Sequence, residues 1–371
     1  MQSITTGNRI TDAALTPPPV CFDPGPDYAS GTRNWQGIPA IERTRAGRLY
    51  ATWYSGGHGE DNDNHVLLVT SDDDGQTWTD QPRIVVDPPG MTRAWDPCLW
   101  HDPHGRLWWY WTMSCPMAAH VWDGRGGVWA MVTENPDDPN PTWSEPKRFA
   151  EGVALNKPIV TSDGTWLMPT AVWYWEGMDQ FGVLRHMMKP GVVASTDAGD
   201  TWQWRGGAEM EEKYFREPMI VELRDGTLWM LVRMRDGISE TFSMDGGISW
   251  SRGRPSRFAG PNSRFFISRL ASGRLLLVNH LGNPDRERSH LTAMLSEDDG
   301  TTWPHRLLLD NRAKVSYPDA VEGPDGWIRI VYDFNRFDER EILMARIREE
   351  DILAGECCTP DARLRMVINK V

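Results

Sequence analysis

The pattern Ser-x-Asp-x-Gly-x-Thr/Ser-Trp occurs four times in this chain, at Ser71–Trp78, Ser195–Trp202, Ser243–Trp250 and Ser296–Trp303. Each copy has the chemistry of a hairpin turn. The Asp side chain caps backbone N–H groups, the Gly takes a positive φ, and the Trp is placed to bury itself between neighbouring sheets. Four copies in register mark a repeat architecture, in which each unit covers the apolar face of the next.

A second repeat runs between these boxes: a short apolar strand, a polar turn with Gly, and a second apolar strand. The turn glycines are Gly47, Gly105, Gly164, Gly226, Gly273 and Gly326, spaced by 47 to 62 residues. That spacing accommodates one four-stranded sheet per repeat. The second repeat has a degenerate box ending at Trp143, and the sixth has none. Helical periodicity is confined to a short stretch, Glu339 to Glu349. The expected fold is therefore all-β, a six-bladed β-propeller spanning residues 1–371 as one domain. Its blade-opening strands fall near 36–41, 95–100, 156–161, 216–223, 262–270 and 316–321. The missing sixth box predicts that the last blade is completed by a strand from the N-terminal segment, which closes the ring and protects sheet edges. A seven-bladed ring would need a further blade within residues 1–33 and the tail.

Bulk properties narrow the function classes. With 39 basic and 52 acidic residues the net charge is −13, which opposes nonspecific attraction to nucleic acid or to anionic membrane surfaces. No run of about 18 apolar residues is present. The first twenty residues lack an apolar core, so the expected location is cytoplasmic unless a leader has been removed. Cys21, Cys98, Cys115, Cys357 and Cys358 form neither a disulfide framework nor a zinc pattern. No nucleotide-binding glycine motif occurs, and no cofactor is expected. The sequence leaves the oligomeric state open.

In a propeller the first strand of each blade lines the central channel. The residues preceding the prolines there are Ile38, Asp96, Lys157, Glu217 and Tyr317, with Arg264 in a similar place in the fifth repeat. Two acids, two bases and a Tyr converging on one funnel are costly to bury without a ligand or mutual pairing. Trp35, Trp95, Trp100, Trp173 and Trp175 lie where they can reach that funnel and stack on sugar faces, or else fill the wedges between blades.

The boxes, the blade-opening segments and their order resemble the sialidase (neuraminidase) superfamily of BNR/Asp-box proteins over essentially the whole chain. Glu217 in REPMIVEL, Arg233 in LVRMRD, Arg286 or Arg288 in NPDRERSHLTAMLS, and Tyr317 in VSYPDAV match the family's site positions. The resemblance implies an exo-acting, retaining glycoside hydrolase with a glycan or oligosaccharide substrate. It makes Tyr317 the nucleophile, Glu217 its base, and Arg233 with Arg286 or Arg288 carboxylate ligands. Asp333 resembles the acid that pairs with the family's first arginine. The proton donor is expected on the loop SGGHGEDNDNHV, at Glu60 or Asp61.

The family opens its first blade with Arg-Ile-Pro, whereas this chain has Gly37-Ile38-Pro39. Glycine cannot replace a guanidinium fork. Either Arg33 or Lys157 compensates, or the sugar is not a sialic acid. Similar propellers serve as rhamnosidases, arabinanases and uronate lyases, for which His58, His65, His101, His280 and His290 are the candidates, and noncatalytic glycan-binding propellers share the same boxes.

Overall fold

The computed structural model describes residues 13–115, 126–173, 184–211, 216–235, 237–281 and 287–371. It is a six-bladed β-propeller, each blade an antiparallel sheet in which sequential strands pair side by side. The innermost strands are Gln36–Arg43, Arg93–His101, Ile159–Val160, Pro218–Glu222, Phe266–Arg269 and Val315–Glu322. Every one falls within or beside a predicted blade-opening segment.

The four boxes fold alike, between the third and fourth strands of their blades. In the last, Gly300 N donates to Ser296 Oγ at 2.8 Å, Thr302 N and Oγ1 donate to Asp298 at 2.7 and 2.6 Å, and Trp303 Nε1 donates to Gly300 O at 3.1 Å. Gly75, Gly199, Gly247 and Gly300 have φ between 82° and 93°, the conformation the motif requires of glycine. Apolar side chains fill the blade interfaces. Between blades two and three, for example, Trp100 meets Trp166 edge-on at 4.9 Å, while Trp202 packs on Trp108 at 6.2 Å. Trp100 is thus a wedge residue and not a sugar platform.

Two expectations change together. Glu341–Ile347, within the stretch read as helical, is the third strand of blade six, paired on both sides and with nearly every side chain buried. A continuous apolar run of this length has no period that separates helix from strand, and burial on both faces decides for strand. The helix that forms lies just beyond, at Glu349–Ala354. With that strand in place, Val315–Glu322, Ile328–Phe334, Glu341–Ile347 and Arg363–Lys370 complete blade six from the C-terminal sequence alone. The N-terminal strand Val20–Phe22 instead pairs with Ile84–Val86 as a fifth, outer strand of blade one. Closure between blades six and one is made by side chains. Arg33 Nη2 donates to Asn369 Oδ1 at 2.8 Å, Gln36 Nε2 to Arg340 O at 2.7 Å, and Arg340 Nη1 to Asn34 O at 3.1 Å.

Two cations on the axis tie the inner strands together. Lys157 Nζ donates to Ile41 O and Leu99 O, each at 2.7 Å, and pairs with Glu42 and Asp319 at 3.1 and 3.3 Å. Arg264 donates to Leu155 O at 2.9 Å, Pro39 O at 2.8 Å, Pro318 O at 3.1 Å and Tyr317 O at 3.2 Å. Asn156 Nδ2 brings in blade four through Pro218 O at 2.8 Å. Lys157→Met keeps most of the apolar stem but leaves Glu42 and Asp319 buried without their cation. Urea denaturation of this variant is expected to show a loss of about 3–5 kcal/mol, the size typical of removing one partner from a buried ion pair.

Candidate active site

Three X-Pro steps aim side chains into the funnel. Ile38, Asp96 and Tyr317 have φ of 57°, 48° and 54°, although none is glycine. At each the strand ladder skips two residues, between Gly37 and Ala40, Trp95 and Cys98, and Ser316 and Asp319. Bulges re-aim side chains, and non-glycine residues held in this region cost about 1–3 kcal/mol each, a strain that persists only where surrounding contacts enforce it. Two of the three residues so placed carry polar side chains that meet at one site.

Tyr317 is the centre of that site. Arg233 Nη1 donates to Tyr317 Oη at 2.7 Å and to Glu217 Oε1 at 2.5 Å, so a single guanidinium nitrogen bridges the phenol and the carboxylate. Glu217 Oε2 is buried and accepts no hydrogen bond from the described residues. Tyr317 and Glu217, predicted as a nucleophile and its base, each bond the same Arg233 nitrogen, and no hydrogen bond joins the phenol to the carboxylate directly. Burial pushes the phenol above its ordinary value; Glu217 adds to this and Arg233 and Arg288 oppose it. The guanidinium carbons of Arg288, Arg336, Arg233 and Arg264 lie 5.1, 5.2, 5.6 and 5.8 Å from the phenol ring centroid. Asn262 ties two of these groups together. Its side-chain oxygen accepts from Arg233 Nε at 2.7 Å, and its carbonyl accepts from Arg288 Nη2 at 2.7 Å.

The carboxyl groups divide by environment. Glu60 Oε1 pairs with Arg336 Nη1 at 2.8 Å. Against the desolvation it meets, Arg336, Arg93 and Arg288 hold the Glu60 carboxyl, 44% exposed, below its ordinary value. Asp61 is spent on its own loop, accepting from His58 N and Asp63 N at 3.0 Å each. Asp96 is driven well above the usual carboxylate range by burial and by Glu217 and Glu60, against the pull of Arg93 and Arg264. Asp333 accepts from Ile38 N at 2.9 Å and from Ser316 Oγ at 2.5 Å, which places it behind Gly37.

Several predicted positions lie elsewhere. Lys157 and Arg264 belong to the axial network, their polar atoms committed to backbone carbonyls and buried carboxylates; neither is free to hold a substrate. Arg33 serves ring closure, so the two residues offered as substitutes for the missing arginine are both engaged in other work. Trp95 is 3% exposed and donates from Nε1 to Ser114 Oγ at 3.0 Å, with Arg93 stacked over it at 4.9 Å. Trp35 is buried beneath Arg336, while Trp173 packs on Trp95 at 5.6 Å. Arg286 and Trp175 lie outside the described residues. The histidines form no cluster around Tyr317. His280 is buried against Val315 O at 2.8 Å and, by burial, pushed down to about 4. His65 is likewise lowered to about 4 by burial and packs on Tyr28. Sequence reasoning missed Arg336, Arg93 and Asn262. Arg336 follows Asp333 by three residues in the same hairpin, and Arg93 precedes Asp96 by three, which is the signal that was there to be followed.

The fold and this arginine-lined funnel define a β-propeller of the sialidase type. The profile of the BNR repeat-like domain family matches residues 47–330, and the chain belongs to that family. Among solved structures it is similar to the Hadza microbial sialidase Hz136, at 20% identity and a TM-score of 0.62 over 80% of this chain and 63% of that one. The leech intramolecular trans-sialidase is similar at 14% identity and a TM-score of 0.68, over 91% of this chain and 71% of that one. An α-L-arabinanase from Penicillium chrysogenum is similar at 13% identity and a TM-score of 0.59, over 86% and 94% of the two chains. No curated protein matches the sequence significantly.

The strain at Asp96 has a measurable signature. Both Asp96→Gly and Asp96→Ala delete the carboxyl, but only glycine is at ease at this φ. Thermal unfolding is expected to place the glycine variant above the alanine variant by about 1–2 kcal/mol in stability; equal stabilities would show that the backbone is not strained there.

Proposed function

We propose that the protein is an exo-acting, retaining glycoside hydrolase that removes a terminal sugar bearing a carboxylate at its anomeric carbon, with Tyr317 as nucleophile. The observation that carries this reading is the Tyr317–Arg233–Glu217 bridge set among further guanidinium groups. A carboxylate nucleophile would be repelled by a substrate carboxylate at the reacting carbon, whereas a neutral phenol is not. Arginines in that position match a planar carboxylate through paired N–H groups.

In the first step Tyr317 Oη bonds to the anomeric carbon while its proton passes to the open oxygen of Glu217. The bond to the departing oxygen breaks, and that oxygen takes a proton from Asp96. Asp96 suits this part because burial lifts its carboxyl well above the usual range, whereas the arginines hold Glu60 below it and Asp61 accepts from its own loop. In the second step water loses a proton to Asp96 and attacks the same carbon. Tyr317 Oη leaves and recovers its proton from Glu217. Two displacements at one carbon retain configuration. The arginines hold the substrate carboxylate through both steps and offset the charge developing on the phenol oxygen.

The test is release of 4-methylumbelliferone from its α-sialoside, with the sugar anomer first formed followed by NMR. Tyr317→Phe is expected to cost about a thousandfold or more in kcat, as removal of one member of a concerted catalytic unit does, with the melting temperature little changed. Cleavage of neutral arabinosides or rhamnosides, and not of acidic ketosides, would overturn the assignment. Leaving-group dependence separates the candidate acids. Asp96→Asn is expected to lower kcat/KM for a sugar–sugar bond by about 10²–10⁴-fold and for the aryl glycoside far less, because kcat/KM reports the departure of the oxygen and an aryl oxide needs little protonation to depart. If Glu60→Gln shows that split and Asp96→Asn does not, the proton donor is Glu60.

A further inference from the structure

Gly37 lies on the innermost strand of blade one, opposite Tyr54. Its φ is not among the positive values, so the backbone does not demand glycine there. The space does. A Cβ at this position would stand 2.2 Å from Arg336 Cδ and 3.0 Å from Cγ, the middle of that side chain and not its free end. Arg336 rises from the turn between Ile328–Phe334 and Glu341–Ile347 of blade six and fills the volume that a side chain at 37 would occupy.

The surroundings are those of a cation site whose anchor has moved. Asp333 Oδ2 would lie 3.3 Å from a Cβ at 37, and its Oδ1 is 3.9 Å from Arg336 Nε, so one buried carboxylate faces both origins. Arg336 is 12% exposed, its guanidinium carbon lies 5.7 Å from the Trp35 ring centroid, and its Nη1 bonds Glu60. No other Arg336 donor is taken up by a described residue. Arg288 stands at nearly the same distance from the phenol ring and, among the described residues, bonds only the neutral carbonyl of Asn262. Two half-buried guanidinium groups flanking one ring, each with N–H groups that no described residue accepts, form an incomplete clamp that an anion completes.

We propose that Arg336, with Gly37 as its reciprocal partner, supplies the specificity-determining guanidinium that holds the substrate carboxylate together with Arg288, and that Glu60 positions it. This rests on the reading of the funnel as an acidic-sugar site. Residues 37 and 336 then act as alternatives: an arginine is accommodated at either one when the other is small, and not at both.

Isothermal titration with 2-deoxy-2,3-dehydro-N-acetylneuraminic acid and with its methyl ester tests both levels. The acid is expected to bind wild type and the ester to bind much more weakly. Arg336→Met should weaken the acid by about 10- to 100-fold, the range of a lost charge-assisted hydrogen-bond pair. Arg336→Lys should recover part of that, since an ammonium cannot bind in a fork. Gly37→Arg alone should bind poorly, and Gly37→Arg with Arg336→Gly should restore affinity to within about tenfold of wild type; melting temperatures identify any variant that has not folded. Equal binding of acid and ester, or of neither, removes the acidic-sugar reading and this proposal with it. Preference for the acid that Arg336→Met and Arg336→Lys leave unchanged keeps that reading and overturns the role of Arg336. A preference lost in Arg336→Met but not regained in the double variant overturns the reciprocal pairing.

Discussion

The axial pair Lys157 and Arg264 is the constraint from which the site follows. A ring of six sheets leaves the inner edges of its first strands around a channel, and those edges expose carbonyl groups that must be satisfied. Two cations, Arg264 buried and Lys157 nearly so, meet that need for strands in blades one, two, three and six at once, while Glu42 and Asp319 neutralise them. Burial raises Asp319 and Lys157 offsets the rise. The height of each inner strand is fixed against its neighbours, and Arg264, bonded to the carbonyls of Tyr317 and Pro318, forms the floor on which the phenol rests.

Above that floor the site is organised around its guanidinium groups. Arg233, Arg288 and Arg336 converge on one Tyr, and burial with Arg336 and Arg233 nearby pulls Arg288 below its ordinary value. Glu217 and Glu60 each satisfy one arginine, and burial lifts the Asp96 carboxyl well above its ordinary range. The same low-dielectric setting that makes this cluster expensive makes it selective for an anion of fitting shape. Backbone strain at Ile38, Asp96 and Tyr317 is part of the same arrangement, because a regular strand would turn these side chains into the sheet instead of the funnel.

Much of this was legible in the sequence, for reasons specific to the residues. The boxes were readable because their Asp, Gly and Trp act locally, within eight positions. The X-Pro steps were readable because proline constrains the residue before it and breaks a ladder. What escaped were features decided across the ring. Lys157 and Arg264 look identical in sequence to funnel residues, and only the carbonyls they reach reveal them as axial. Glu341–Ile347 carries no period that marks it as a strand. Gly37 reads as a loss until Arg336, 299 positions later, is seen in the space it leaves. Glu60 and Asp61 are neighbours of like chemistry, and their different partners separate them.

The closure of the ring has a topological consequence. Because blade six is built from contiguous sequence and meets blade one through side chains such as Asn369 and Arg33, no strand crosses the seam. The linear order of the blades is then decoupled from the circle they form. A chain whose two ends are joined by a linker and which is opened in the turn at Asn311 would have a different first blade and the same strand pairings throughout, including Val20–Phe22 against Ile84–Val86.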